Sequence, residues 1–233
     1  MSASTLFFAL VGGIIPALLW LWFWLQEDKL HPEPRALIVR IFIAGMIAVP
    51  LVLQLEKLIQ KEYAGRAFLI VLLWASAEEI IKWGSAFFAA FNTKAYDEPI
   101  DAVIYMLTAA LGFSAMENVL FLFTSISNTS IIEGLVTGNL RFIGATLLHV
   151  LSSGALAFFI GISFNKSWFN KIAHLIVGIT VAVLLHTIFN IYIMKSVGNE
   201  IFIVFCFVWL AILLLIASFE KIKRIRKYRK FKL

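Results

Sequence analysis

The sequence predicts an all-α, polytopic transmembrane helical bundle of about seven spans, seven to eight. Three observations carry that expectation. The 233 residues are 61% hydrophobic and only 15% charged, whereas a soluble domain of this size carries about 25% charged residues. Mean hydropathy is +0.93. The apolar residues fall in consecutive runs, most close to the roughly 20 residues that cross a bilayer.

The first run covers residues 5–25 and ends in Trp20, Trp22 and Trp24, an interfacial aromatic belt. It reads as an uncleaved span, since no basic residue precedes it and no small-x-small site follows. Residues 26–35 form a polar loop whose Pro32 and Pro34 stop helices. Further runs are expected at 36–55, 67–91, 100–123, 140–164, 172–194 and 201–219. Between them lie a charged link at 56–66, a short loop at 92–99 and a Ser/Thr/Asn/Gly-rich outer loop at 124–139.

This leaves one transmembrane domain, residues 1–219, and a basic tail, residues 220–233. The net charge of +6 does not argue for nucleic acid, because eight of the 20 basic residues lie in the last 13 positions. Such a tail should be cytoplasmic and rest on anionic lipid. Counting back places the N-terminus outside, with Lys57, Lys61 and Arg66 against the rule. Cys206 is a single cysteine in an apolar run, so no intrachain disulfide forms.

The third run contains Glu78, Glu79 and Lys82. Each charge at the centre of a membrane helix costs about 2.5–3.5 kcal/mol on insertion scales, so such residues mark function by default. Lys82 stands four residues after Glu78 and three after Glu79, and can neutralise one carboxylate. Other spans carry possible partners: Glu117 and Asn118, His149 with Ser152 and Ser153 a turn on, and His186 with Asn190. At 1.5 Å per residue, Glu78, Glu117, His149 and His186 all lie roughly 9–17 Å below the expected outer ends of their helices. Ionisable groups at one depth in lipid find one another.

A desolvated cluster of this composition suits hydrolysis. A buried carboxylate can take a proton from water, and histidine can relay that proton or bind an activating divalent metal such as zinc. Glu117, His149 and His186 are the candidate metal ligands. Asn190 and His186 could hydrogen-bond a tetrahedral oxyanion. Neither a Gly-x-Ser-x-Gly nor a His-Glu-x-x-His is present. The competing reading is a proton-coupled transporter, since carboxylate–histidine chains also relay protons.

The ordered motifs Glu78-Glu79-x-x-Lys82-Trp83, Tyr96-Asp97-Glu98-x-x-Asp101-x-x-x-Tyr105 and Gly112-Phe113-x-x-x-Glu117-Asn118 resemble the PrsW-type intramembrane proteases. Arg141, His149 and Leu-Leu-His186 complete the likeness, and Asp28, Pro32-Glu33-Pro34 and Arg40 fit it. A more distant likeness, through His186-x-x-x-Asn190, is to the CAAX prenyl endopeptidases, and a CAAX-like processing enzyme is the alternative within hydrolases. The resemblance implies a protease in the cytoplasmic membrane of a prokaryote. Its substrate would be a single-span membrane protein, typically an anti-sigma factor, cut on the extracytoplasmic side in response to envelope stress. It implies that Glu78 and Glu79 activate water beside Glu117 and His149, with His186 and Asn190 polarising the carbonyl. Lys82, Asn118 and Arg141 would support them, Arg141 by holding substrate backbone or anchoring its helix. Asp97 and Asp101 are expected to cap and pack the fourth span, away from the layer. His31 and His174 fall at loop positions.

Overall fold

The computed structural model describes residues 3–29, 31–128, 131–195 and 200–230, and among them the secondary structure is entirely helical. Seven α-helices follow in order: α1 Ala3–Leu25, α2 Arg35–Glu62, α3 Ala67–Ala86, α4 Asp101–Asn128, α5 Ile131–Ser163, α6 Trp168–Lys195 and α7 Glu200–Lys230. Six are long and apolar enough to cross a membrane. The seventh, α3, fails that composition test because Glu78, Glu79 and Lys82 sit in its 20 residues. Its length of ~30 Å still matches a hydrocarbon core. The protein is an integral membrane helical bundle.

α4 is the central post. Residues Asp101 to Ala115 are buried without interruption, which is how a helix surrounded on all sides should read. It packs against α1, α2 and α5, and more lightly against α3; α5 carries α6 and α7 on its other side. Close backbone approach fixes the α2–α4 crossing. A Cβ on Gly112 would stand 2.1 Å from the Phe42 carbonyl oxygen, and one on Gly45 2.2 Å from that of Ala109. Only hydrogen fits there, the small-residue contact that membrane helices use to pack.

Two expected linkers are helical. Residues 56–66, a charged link by composition, are helical for most of their length: α2 runs on to Glu62 and turns only at Tyr63–Arg66. There Gly65 takes φ 83°, the left-handed conformation that ends helices. Residues 124–139, an outer loop by composition, are also largely helical: α4 continues to Asn128 and α5 starts at Ile131. The hydroxyls that suggested a loop bond back into the helix: Thr124 Oγ1 donates to Leu120 O at 2.9 Å and Ser127 Oγ to Phe123 O at 2.7 Å. The basic segment from residue 220 likewise continues α7 to Lys230. After α3, a π-helical turn at Phe87–Phe91 is held by Arg40 of α2, which donates to the Ala89 carbonyl.

Candidate active site

The four ionisable positions expected at one depth do meet, contributed by α3, α4, α5 and α6. Glu78, Glu79, Lys82, His149 and His186 are all buried. Helical spacing explains the α3 face, because positions three and four apart stack on one side. Residues 78, 79 and 82 therefore look inward together while Ile80 faces outward, 47% exposed.

The two glutamates have different surroundings. Glu79 is saturated. Its Oε1 accepts from Lys82 Nζ at 2.5 Å, Ser152 Oγ at 2.8 Å and His186 Nδ1 at 2.8 Å. Its Oε2 accepts from Ser153 Oγ at 2.9 Å. Lys82 therefore chooses Glu79, and its distance to Glu78 Oε2 is 3.8 Å. Phe113 lies under the ammonium, 5.0 Å from ring centroid to Nζ. Glu78 Oε2 is the opposite case, buried and without a hydrogen-bond partner.

Each imidazole is braced by a carboxylate at one nitrogen; the other nitrogen of His149 also meets Lys82 Nζ at 3.0 Å. His149 Nε2 stands 2.7 Å from Glu117 Oε2 and His186 Nδ1 2.8 Å from Glu79 Oε1. A carboxylate only accepts, so those nitrogens carry the protons. The remaining nitrogens present lone pairs. His149 Nδ1 faces Glu78 Oε2 at 3.9 Å, and His186 Nε2 faces it at 3.7 Å. Three electron-pair donors thus converge on one small space, and one atom from each residue lies within 4.8 Å of the other two.

Ligands at ~2.1 Å from a tetrahedral ion stand about 3.4 Å apart, so the spacing suits a metal with modest contraction. Carboxylate bracing of the far histidine nitrogen is the outer shell that metal-binding histidines use. The donor set fits a zinc-class ion. His149 Nδ1 also lies 3.0 Å from Lys82 Nζ, so the ammonium and a metal compete for one lone pair.

The other expected residues take supporting or separate places. Asn118 Nδ2 donates to Ser114 Oγ at 3.4 Å and Thr146 Oγ1 at 3.3 Å, and the two hydroxyls are 2.8 Å apart. That polar ladder ties α4 to α5. Asn190 is half-buried one turn beyond His186, and no hydrogen bond described within the cluster involves it. The side chain of Arg141 lies outside the described residues. His31 is near Glu98, and His174 pairs with Lys166 and the Asn170 carbonyl at the surface, both away from the cluster. An apolar crevice of about 470 Å³ between α1 and α7, lined by Trp20, Phe23, Trp209 and Ile212, also stands apart from it.

One residue of the cluster was missed. Glu56, in a stretch whose charge reads as a linker, sits on α2 against Glu78 and Glu117, with its own carbonyl held by Trp74 Nε1 at 3.1 Å. A signal existed: Gly45, Val49 and Val52 are buried, and Glu56 continues their stripe at helical spacing.

A membrane bundle in which two carboxylate-braced histidines face a carboxylate oxygen without a hydrogen bond has the donor set of a membrane-embedded, metal-dependent hydrolase. The profile described as "PrsW family intramembrane metalloprotease" matches residues 33–216. The chain belongs to that family. It is 28% identical to Protease PrsW of Oceanobacillus iheyensis over 217 residues, covering 92% of this chain and 94% of that protein. It is 26% identical to Protease PrsW of Geobacillus kaustophilus over 161 residues, 67% of each chain. Identity to Protease PrsW of Bacillus subtilis is 24% over 198 residues, with 84% and 87% covered. No solved structure matches. The chain is a membrane peptidase, and the transporter alternative gives way.

Proposed function

We propose that this peptidase cuts a single-span membrane protein, an anti-sigma factor being the substrate class that the family resemblance suggests, with Glu78, His149 and His186 holding a zinc-class ion. The observation that carries the reading is the convergence of two braced imidazoles on the unpartnered Glu78 Oε2. A bound ion of that class supplies Lewis acidity toward water and the scissile carbonyl. Glu79 holds His186 in the tautomer whose Nε2 lone pair faces inward, and Lys82, Ser152 and Ser153 hold Glu79.

Glu117 does the corresponding work on His149. Its side chain is 24% exposed, against 7% or less for Glu78, Glu79, His149 and His186. As the most exposed of these carboxylates, it takes the proton of the attacking water and passes it to the leaving amine in this reading. Water adds to the carbonyl carbon, the C–N bond breaks, and the products are a carboxylate and an amine. Asn190 is available as a donor to the carbonyl oxygen, and Arg141 as a contact to substrate backbone. Anionic lipid at the basic end of α7 keeps that end cytoplasmic, with the N-terminus outside and the bundle in the plasma membrane of a prokaryote.

The test is cleavage of a single-span anti-sigma factor by the reconstituted chain. The wild type should cut on the side that holds Glu117. Cleavage undiminished in both Glu78→Gln and His186→Ala would reject the assignment.

A further inference from the structure

At the opposite end of α4 lies a second group of carboxylates that the hydrolytic cluster does not use. The turn after α1 contributes Asp28, the segment before α2 contributes Glu33, and the first residue of α4 is Asp101. One oxygen from each lies within 4.8 Å of the other two. Sixteen residues of α4 separate Asp101 from Glu117, about 24 Å of helix. The two groups are independent.

Asp101 is only 1% exposed, and its two oxygens have different fates. Oδ2 accepts the backbone N–H of Asp97 at 3.0 Å and of Glu98 at 2.6 Å, so it is committed to the turn that starts the helix. Oδ1 is buried and has no hydrogen-bond partner. With Oδ2 turned to the backbone, Oδ1 is the oxygen left for the other carboxylates. A buried carboxylate oxygen without a donor is costly unless a cation meets it.

The neighbours sharpen the need. Glu33 Oε2 accepts from Tyr105 Oη at 2.6 Å. His31 stands 3.8 Å from Glu98 Oε1 and is half exposed. Oxygen-only donors select hard divalent ions over zinc. Two ligands of one Ca²⁺-sized ion stand at most about 5 Å apart, twice the metal–oxygen distance, and the three oxygens satisfy that limit.

We infer that Asp28, Glu33 and Asp101 form a second metal site, for a hard divalent cation of the Mg²⁺, Mn²⁺ or Ca²⁺ class, which pins the α1–α2 turn to the start of α4. Such an ion joins two segments far apart in sequence and anchors the end of the helix that carries Glu117.

Mn²⁺ titration of the purified full-length chain in detergent, read by loss of the free-ion EPR signal, tests this. One Mn²⁺ per chain should bind to His186→Ala, which removes one of the hydrolytic cluster's three donors. Glu33→Gln keeps an acceptor for Tyr105, and should weaken that binding beyond the roughly 10–100-fold typical of an outer-shell change. Asp101→Asn should do the same. Ca²⁺ should raise the melting temperature of the wild type and leave that of Glu33→Gln unmoved, a readout that needs no second variant to fold. Mn²⁺ binding that disappears in His186→Ala, or that Glu33→Gln retains at wild-type affinity, would overturn the site. So would a wild type that neither binds Mn²⁺ at this second position nor is stabilised by Ca²⁺, as two carboxyls sharing a proton would behave.

Discussion

Glu78 and Glu79 are adjacent in sequence, and their hydrogen bonds separate their roles. Glu79 accepts from Lys82, Ser152, Ser153 and His186, so removing its charge strands a buried ammonium. Glu79→Gln should destabilise the fold by about 3–5 kcal/mol, the cost of breaking a buried ion pair, seen as a lowered thermal midpoint. Glu78→Gln changes an oxygen that has no hydrogen-bond partner. It should leave the melt close to wild type while cutting peptide hydrolysis by at least about 100-fold, since a direct ligand of the ion is lost and even outer-shell changes cost roughly 10–100-fold. Equal loss of stability in both variants would contradict this division. The sequence announced that two charges share a helix with a lysine, but spacing permits Lys82 to reach either carboxylate. The choice depended on Ser152, Ser153 and His186 crowding around Glu79, and tertiary contacts of that kind leave no local trace.

At the scale of elements, the α2–α4 crossing positions both ends of the site. Gly45 and Gly112 let the backbones touch, and the atoms that a methyl would meet are carbonyls that cannot turn aside. Gly112→Ala should therefore cost at least the ~1–3 kcal/mol of an overpacked core, measured by thermal melting. Gly84→Ala meets nothing within 4 Å and should be neutral, or stabilising by up to about 1 kcal/mol. The same crossing carries Glu56 into the cluster. Glu56→Gln should lower peptide hydrolysis by about tenfold or more, as loss of an outer-shell partner does, with the melt preserved. Wild-type turnover in that variant would make Glu56 a spectator. Glu56 escaped the sequence because it lies beyond the end of an apolar run, where charge reads as linker. The buried stripe Gly45, Val49, Val52 was the better guide.

For the whole molecule, span number and the meeting of four helices at one depth were legible because lipid leaves intramembrane charges no other partner. Loop boundaries were not. Thr124 and Ser127 are loop formers in water, but here they bond back to their own helix. The central claim is that Glu78, His149 and His186 hold a transition metal for hydrolysis, distinct from the oxygen-only site at the other end of α4. The most direct measurement is cleavage of a single-span substrate by the reconstituted chain after treatment with 1,10-phenanthroline, which strips zinc and spares hard cations. The account predicts that cleavage disappears and returns when Zn²⁺ is restored, while the melting gain from Ca²⁺ persists throughout. Full cleavage by a chain stripped of transition metal would contradict it.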